Sequence, residues 1–194
     1  MEHLKYVIPN MEYEEQAKEY IDEHHRYNSQ INGSGGLNRY IDNYPAWLTK
    51  IEQERHPEPN EARVPTDTYY LVREEDNHIV GMVNIRHYLN KKLSECGGHI
   101  GYGIRPSERQ KGYNKINLYL ALLRCQELGL KEVYLDCECN NPGSYKTMEA
   151  LGGIRIKEYS SENYSNKIYR YIIYVDAAIE NYRHEYEPKI LKRR

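Results

Sequence analysis

The chain has 194 residues, with 27 Lys or Arg against 29 Asp or Glu, so its formal net charge is −2. This length predicts one domain with a substantial core, and the near-neutral charge argues against a surface built for nucleic acid, which needs concentrated positive charge. No apolar run has the length of a membrane span and the first residues do not form a signal peptide, so we expect a soluble, cytoplasmic protein without a membrane partner.

The first part of the chain is predicted to combine one strand with two helical stretches. Glycines mark the loop between the helical stretches, and Pro45 interrupts the second of them, where we expect a helix to end or restart. In chain order we predict a strand over 4–9, a helix over 11–28, a flexible loop over 32–36, a helical stretch over 37–54 and a Pro-rich polar loop over 55–65.

The second part of the chain is predicted to begin with a hairpin and to contain one long helix. In that helix, Ile116, Tyr119, Leu120 and Leu123 recur on one face, and Gly129 is a good stop. In chain order we predict strands over 68–74 and 79–89, a loop over 89–98, a strand over 99–104, the helix over 112–128, a strand over 131–138, a short helix over 142–153, strands over 154–161 and 166–176, and a candidate last helix over 177–188.

This order of elements predicts a mixed α/β fold with a central, mostly antiparallel sheet. No internal repeat divides the chain, and the loop over 55–65 is too short to separate two domains. We therefore predict a single domain over residues 1–194, in which residues 177–194 form a C-terminal extension.

The segment RPSERQKGYNKIN, residues 105–117, lies between a predicted strand and the long helix. The first amides of a helix lack internal partners and carry partial positive charge, so such a turn is able to hold an anion. The dinucleotide pattern G-x-G-x-x-G and the P-loop pattern are both absent. The residues alone leave two alternatives open, a phosphate cradle and a plain exposed turn.

The same segment carries a resemblance to a known family. RQKGYN, residues 109–114, resembles the R/Q-x-x-G-x-G/A signature of the GNAT superfamily of acetyl-coenzyme A-dependent N-acetyltransferases. A second motif of that family, N-x-x-[S/A] with a Gly eleven positions after the Asn, is matched by Asn141, Ser144 and Gly152. The order of elements over residues 4–176 is also similar to that of the family.

The resemblance implies a fold, a co-substrate and a reaction. The sheet would be flanked by helices on both faces, and an acetyl group would pass from acetyl-coenzyme A to a primary amine of a small molecule or peptide by direct attack on the thioester, without a metal. The first two helices and the loop over 32–36 would form much of the acceptor side. The pyrophosphate would be cradled by the amides of Arg109, Gln110, Lys111, Gly112, Tyr113 and Asn114, the pantetheine arm would pair with the backbone of Tyr102, Gly103 and Ile104, and Asn141 would lie along the far side of the cofactor.

The reaction needs a group that takes a proton from the amine. His99 is the candidate base, because an unperturbed imidazole titrates near neutral pH, and His87 on the adjacent strand is its rival. The structural alternative for either residue is a hydrogen-bonded histidine with no catalytic role. Arg86 and Glu95 are further options: Arg86 would bind an acidic group of the acceptor, and Glu95 would act through a water.

Two residues depart from the family pattern. Asn114 stands where Gly or Ala is usual, although an Asn side chain that turned away would still leave room for the cofactor. Met148 occupies the position, seven residues after the motif Asn, where many members carry a Tyr proposed as the general acid, and Met donates no proton. These departures keep an alternative function open, a non-catalytic protein of the same fold that binds acyl-coenzyme A.

The acceptor and the oligomeric state are not determined by the sequence. The acidic and polar composition of residues 11–65 suits a cationic amine and equally suits a solvated surface. A homodimer is one candidate assembly. Cys96, Cys125, Cys137 and Cys139 form no C-x-x-C pair, so no metal site is expected.

Overall fold

The computed structural model describes residues 2–57, 63–162 and 164–190. Part of the predicted loop over 55–65 and the end of the predicted extension therefore lie outside the described residues. The strands are β1 Leu4–Val7, β2 Thr66–Arg73, β3 His78–Arg86, β4 Ile100–Ile104, β5 Glu132–Glu138, β6 Ile154–Tyr159 and β7 Ile168–Tyr174. The helices are α1 Glu14–Arg26, α2 Tyr44–Arg55, α3 Lys91–Glu95, α4 Tyr113–Glu127, α5 Pro142–Glu149 and α6 Val175–Tyr186.

Capping side chains begin two helices, one that the sequence analysis missed and one that it expected to end or restart at a proline. The predicted loop over 89–98 contains α3, whose first turn is stabilised because the Asn90 side chain accepts a hydrogen bond from the Leu93 amide across 3.0 Å. The predicted interruption at Pro45 is confirmed as the start of a helix: Pro45 lies in the first turn of α2, where the Asn43 side chain accepts from the Ala46 amide across 3.1 Å.

The strands form two antiparallel groups. One sheet has the order β1-β2-β3-β4 and the other has the order β5-β7-β6. All pairings within both sheets are antiparallel, in agreement with the hairpin pattern of the sequence. The two sheets meet where β4 approaches β5.

Helices cover both faces of this arrangement. On one face, Tyr20 of α1 and Trp47 of α2 pack with Tyr70 and Met82 of the first sheet. On the other face, α4 and α6 pack against both sheets; Val83 and Leu122 belong to this larger core. The predicted mixed α/β class, with a mostly antiparallel sheet and helices on both faces, is confirmed.

Helix α6 belongs to this core although it falls largely in the predicted extension. Ala178, Ile179 and Tyr186 are buried, and the rings of Tyr119 and Tyr186 lie 5.3 Å apart across the α4–α6 contact. None of the described helices combines the length and the apolar character needed to cross a bilayer.

Candidate active site

Strands β4 and β5 touch at one end and separate at the other. At the closed end, an isolated bridge joins Gly98 to Leu135, and the His99 amide donates to the Tyr134 carbonyl across 2.7 Å. Beyond this point β4 pairs only with β3 within the part of the chain that the structure describes. The result is a gap between two sheets that starts at His99 and opens toward the C-terminal end of β4.

The edge of β4 presents unpaired backbone groups to this gap. The Arg105 amide donates to the Val80 carbonyl across 2.9 Å, which sets the direction of the ladder with β3. Because backbone groups alternate in direction along a strand, the N–H and C=O groups of Ile100, Tyr102 and Ile104 point into the gap. The Ile104 carbonyl, however, is occupied by Arg109 Nε. An extended ligand chain is able to pair with such an edge as an added strand.

The turn before α4 forms a concave array of free amides. Gln110 and Gly112 adopt positive φ angles of 65° and 84°, and α4 starts at Tyr113 without a capping side chain. No described residue accepts a hydrogen bond from the amides of residues 110–114. A Cβ added at Gly112 would meet nothing within 4 Å, so the turn is open on that side of Gly112. Free amides and the helix dipole give this turn the features that hold an anion at a helix N-terminus.

Charged side chains around the turn are held in place. Arg109 donates through Nε to the Ile104 carbonyl across 3.2 Å and through Nη2 to the Ser29 hydroxyl across 2.6 Å. Lys111 lies 2.8 Å from Glu108, which is also paired with Arg73. The guanidinium of Arg109 has no carboxylate partner among the described residues, so its positive charge adds to the anion site.

Asn114 is turned away from the free amides. Its Nδ2 donates to Thr147 Oγ1 across 3.1 Å and lies 3.5 Å from the Gly143 carbonyl, both on α5. Its Oδ1 is buried without a partner among the described residues. The side chain therefore joins α4 to α5, and the cradle in front of Gly112 stays open.

The second motif shapes the start of α5. The Asn141 Oδ1 accepts from the Ser144 amide across 3.1 Å, so Asn141 is the N-cap of α5. The Tyr102 hydroxyl lies 3.0 Å from Ser144 Oγ and ties β4 to this turn. The Asn141 side chain is exposed, but its oxygen already accepts the capping hydrogen bond. Contact between Asn141 and the cofactor therefore stays a prediction.

His99 lies at the closed end of the gap in a neutral state. Its ring is buried, and its Nδ1 accepts from the Tyr134 amide across 3.0 Å. Burial, aided by the positive charge of Arg86, lowers the pKa of His99 from 6.5 to about 4. The lone pair of Nδ1 therefore accepts this hydrogen bond, and the proton of the neutral ring is assigned to Nε2. These contacts favour the structural alternative, and the catalytic role of His99 stays a prediction.

His87 belongs to an ionic cluster outside the acceptor side. Its Nε2 lies 3.2 Å from Asp67 Oδ2, without hydrogen-bond geometry, and the same oxygen accepts from Arg124 of α4 across 2.9 Å. Burial raises the pKa of Asp67, but its hydrogen bond with Arg124 and the other cations bring it below its usual value. His87 does not line the pocket described next.

A polar pocket of about 480 Å³ lies on the face of β4 that α1 and α2 cover. The loop over 32–36 forms one wall, and Asn84, Arg86 and Gly101 form the floor. This loop lies directly on the sheet, because a Cβ at Gly103 would come within 2.7 Å of the Asn32 carbonyl oxygen. The floor at Gly101 adjoins Tyr102, whose amide faces the gap, so the pocket and the gap meet at β4.

Sequence reasoning identified the loop but missed most of the pocket's charged side chains. Arg39, Lys50 and Glu54 line it, in addition to Arg86. Nothing in the local pattern of residues 37–54 signals this, since charged residues on a surface helix are ordinary. Among the described residues, no group of three or more His, Cys, Asp or Glu side chains is arranged to hold a metal ion.

The sequence of the chain is similar to that of a known protein family. The model of the acetyltransferase (GNAT) family matches residues 37–153, which is more than half of the chain. No curated protein matches the chain by sequence.

Solved structures share the fold at low sequence identity. A ribosomal-protein-S5-alanine acetyltransferase from Vibrio fischeri is 15% identical with a TM-score of 0.69, covering 91% of this chain and 95% of that one. Mycobacterium smegmatis RimJ in complex with CoA-disulfide is 12% identical with a TM-score of 0.68, covering 92% and 88%. The spermidine/spermine N-acetyltransferase SpeG from Vibrio cholerae is 15% identical with a TM-score of 0.64, covering 92% and 98%.

Proposed function

Since the chain belongs to the GNAT family of acetyltransferases, we propose that it transfers an acetyl group from acetyl-coenzyme A to a primary amine by direct attack on the thioester. The observation that carries this proposal is the continuity of the open β4 edge with the free amides of residues 110–114. One path along the protein therefore offers strand-like pairing at one end and an anion cradle at the other, as acyl-coenzyme A requires.

The residues of this path fit the parts of the co-substrate. The amides of residues 110–114 and the guanidinium of Arg109 suit a pyrophosphate, and the turn is open on one side of Gly112. The N–H and C=O groups of Tyr102 and the N–H group of Ile104 face the gap and suit the amides of the pantetheine arm. An N–H group of β4 that faces the gap also suits the oxygen of the thioester carbonyl, on which negative charge develops during attack.

The reaction forms a C–N bond and breaks the C–S bond, and the amine nitrogen must lose one proton. His99 remains the predicted base, but a pKa of about 4 makes it a weak proton acceptor. We therefore expect the amine to enter in its neutral form, and the rate to rise with pH as the neutral fraction of the acceptor rises.

The leaving thiolate receives no proton from the usual position of the family. Met148 is 1% exposed and packs in the core below α5. Tyr145, the nearest tyrosine in the chain, has its ring against Tyr169 at 6.0 Å. A thiol with an ordinary pKa of about 8.5 leaves tolerably as the thiolate, so the proposal does not need an acid from α5.

Two measurements test the proposal. Millimolar acetyl-coenzyme A is expected to raise the melting temperature, because a ligand at about 100 times its dissociation constant adds about 2.7 kcal/mol to the stability. A thiol-release assay with a panel of amines is then expected to show turnover. No stabilisation would overturn the proposal, and stabilisation without thiol release for any amine would favour the non-catalytic binding protein.

A further inference from the structure

Arg86 carries a positive charge in the pocket and forms no ion pair with a described carboxylate. Its Nη1 donates to the carbonyl oxygens of Gly97 and Gly98, at 3.4 and 2.9 Å. Its Nε and Nη2 have no described partner, and neither is among the buried atoms that lack one, so both are open to the pocket. The two carbonyls fix the guanidinium plane and leave a fork of donors free. Such a fork matches the two oxygens of a carboxylate or phosphate.

The carboxylates nearest to Arg86 are already engaged. Asp136 receives Nε and Nη2 of Arg170 across 2.8 and 2.7 Å and also accepts from the Gly97 amide across 2.7 Å. Glu54 lies 2.7 Å from the ammonium of Lys50. Burial lowers the pKa of the half-buried Arg86 although Tyr164, Asp136 and Glu54 oppose this shift, so an anionic ligand on its free donors would gain binding energy.

The described charged residues that line the pocket are mostly cations. Arg39, Lys50 and Arg86 line it against the single carboxylate of Glu54, a net of two positive charges. No described residue forms an ion pair with Arg39, which is exposed on the pocket rim. The composition of residues 11–65 suited a cationic amine, but the folded chain gathers cations at the pocket. A polyamine would be repelled there.

The position of the pocket relates this charge to the reaction. Arg86 and Gly101 both line it, and Gly101 adjoins the β4 edge that would hold the thioester. A pocket of about 480 Å³ fits a small molecule. Resting on the proposed function, we infer that the acceptor is a small amine bearing an oxyanion, a carboxylate or a phosphate, which Arg86 binds while the amine points at β4.

Matched acceptors test this inference. L-Alanine is compared with L-alaninol and L-alaninamide, and O-phosphoethanolamine with ethanolamine, since each set shares an amine and differs in the oxyanion. We expect kcat/KM to be roughly tenfold to a hundredfold higher for an acceptor with the oxyanion, as for a charge-assisted hydrogen bond. A preference for alanine identifies a carboxylate, and a preference for phosphoethanolamine identifies a phosphate. Equal rates within both sets, or a preference for spermidine, would overturn the inference.

A variant separates recognition from folding. Arg86→Gln is expected to reduce kcat/KM for the preferred acceptor at least tenfold, to change that for its neutral counterpart less than threefold, and to leave the dissociation constant of coenzyme A unchanged. Arg183→Gln, which removes a charge from the solvent-facing side of α6, is the control and is expected to match the wild type. If the role of Arg86 were purely structural, the variant would lower kcat/KM equally for both acceptors.

Coenzyme A binding distinguishes a variant that fails to fold from a variant with changed acceptor specificity. If Arg86→Gln does not bind coenzyme A, Arg39→Gln provides a second variant on the exposed rim, expected to raise KM for the oxyanion acceptor only. An unchanged acceptor ratio in Arg39→Gln would then overturn the inference. Failure of this inference differs from failure of the proposed function, because the enzyme would still release thiol, but equally with neutral amines.

Discussion

Asn114 Nδ2 donates to Thr147 Oγ1 across 3.1 Å, and this bond joins the first turn of α4 to α5. The position that is small in the family pattern therefore carries a side chain that is directed away from the free amides. The Asn114 side chain packs toward α5, so it leaves the space at the free amides unoccupied.

Asn114→Ala is expected to lower the free energy of unfolding by about 1 kcal/mol, the usual net value of one hydrogen bond. The dissociation constant of coenzyme A should change less than about threefold, an energy difference below about 0.7 kcal/mol, since the lost group does not face the cradle. Denaturant unfolding and calorimetric titration measure the two quantities. Thr147→Val serves as control, and a double-mutant cycle gives the coupling. A tenfold change in affinity would show that the side chain contacts the co-substrate.

Gly112→Ala should weaken binding of coenzyme A much more than it weakens the fold. Its φ angle is 84°, where a side chain costs roughly 1–2 kcal/mol, and the new methyl group would occupy the open side of the turn. Gly129→Ala is the matched control at the other end of α4, because its φ is 78° and an added Cβ also meets nothing within 4 Å.

Both glycine variants are expected to lose similar stability in urea. Only Gly112→Ala should raise the dissociation constant of coenzyme A, by about tenfold or more, as measured by thermal shift or calorimetry. Equal affinities in the two variants would place the pyrophosphate somewhere other than the α4 N-terminus.

His99 should make the protein less stable in acid. Its pKa is lowered from 6.5 to about 4 in the fold, chiefly by burial, so between these pH values the unfolded chain binds a proton that the folded chain does not. The free energy of unfolding therefore falls as the pH falls from 6.5 toward 4. His24 and His78, whose pKa values are also lowered, act in the same direction.

His99→Gln is expected to reduce the slope of stability against pH in this window, because Gln does not titrate. Unfolding in urea at a series of pH values measures it, with Lys157→Gln as a surface control that keeps the wild-type slope. An unchanged slope would mean that His99 is not held neutral. In the same variant, an unchanged kcat would remove His99 from the mechanism, and a large loss of kcat with intact coenzyme A binding would support the predicted base.

Two glycines on β4 should respond differently to an added methyl group. A Cβ at Gly103 would lie 2.7 Å from the Asn32 carbonyl oxygen, whereas at Gly101 the nearest atom is 3.8 Å away. Gly103→Ala is therefore expected to destabilise the protein by about 1–3 kcal/mol and to displace the loop over 32–36. Gly101→Ala should change stability by less than about 1 kcal/mol. Urea unfolding compares them, and equal stabilities would show that the loop does not rest on Gly103.

Local sequence patterns predicted those helices and strands whose formation depends on residues that are neighbours in the chain. The period of Ile116, Tyr119 and Leu120 placed α4, and Gly129 ended it within one residue of the observed helix. The same reasoning failed at α3, where a five-residue helix depends on the Asn90 cap, a short-range signal that resembles an ordinary loop. Asn141 is such a cap as well, and the sequence analysis named it only for the family motif.

The sequence by itself determined the family, the fold class and the turn at residues 109–114, because these depend on periodicity and on short motifs whose residues are neighbours in the chain. Only the tertiary structure decided the direction of the Asn114 side chain, the neutral state of His99 and the cationic pocket around Arg86. Each depends on groups distant in sequence, such as Thr147 for Asn114 and Tyr134 for His99. Burial and pairing across elements decide such properties, and no local pattern records them.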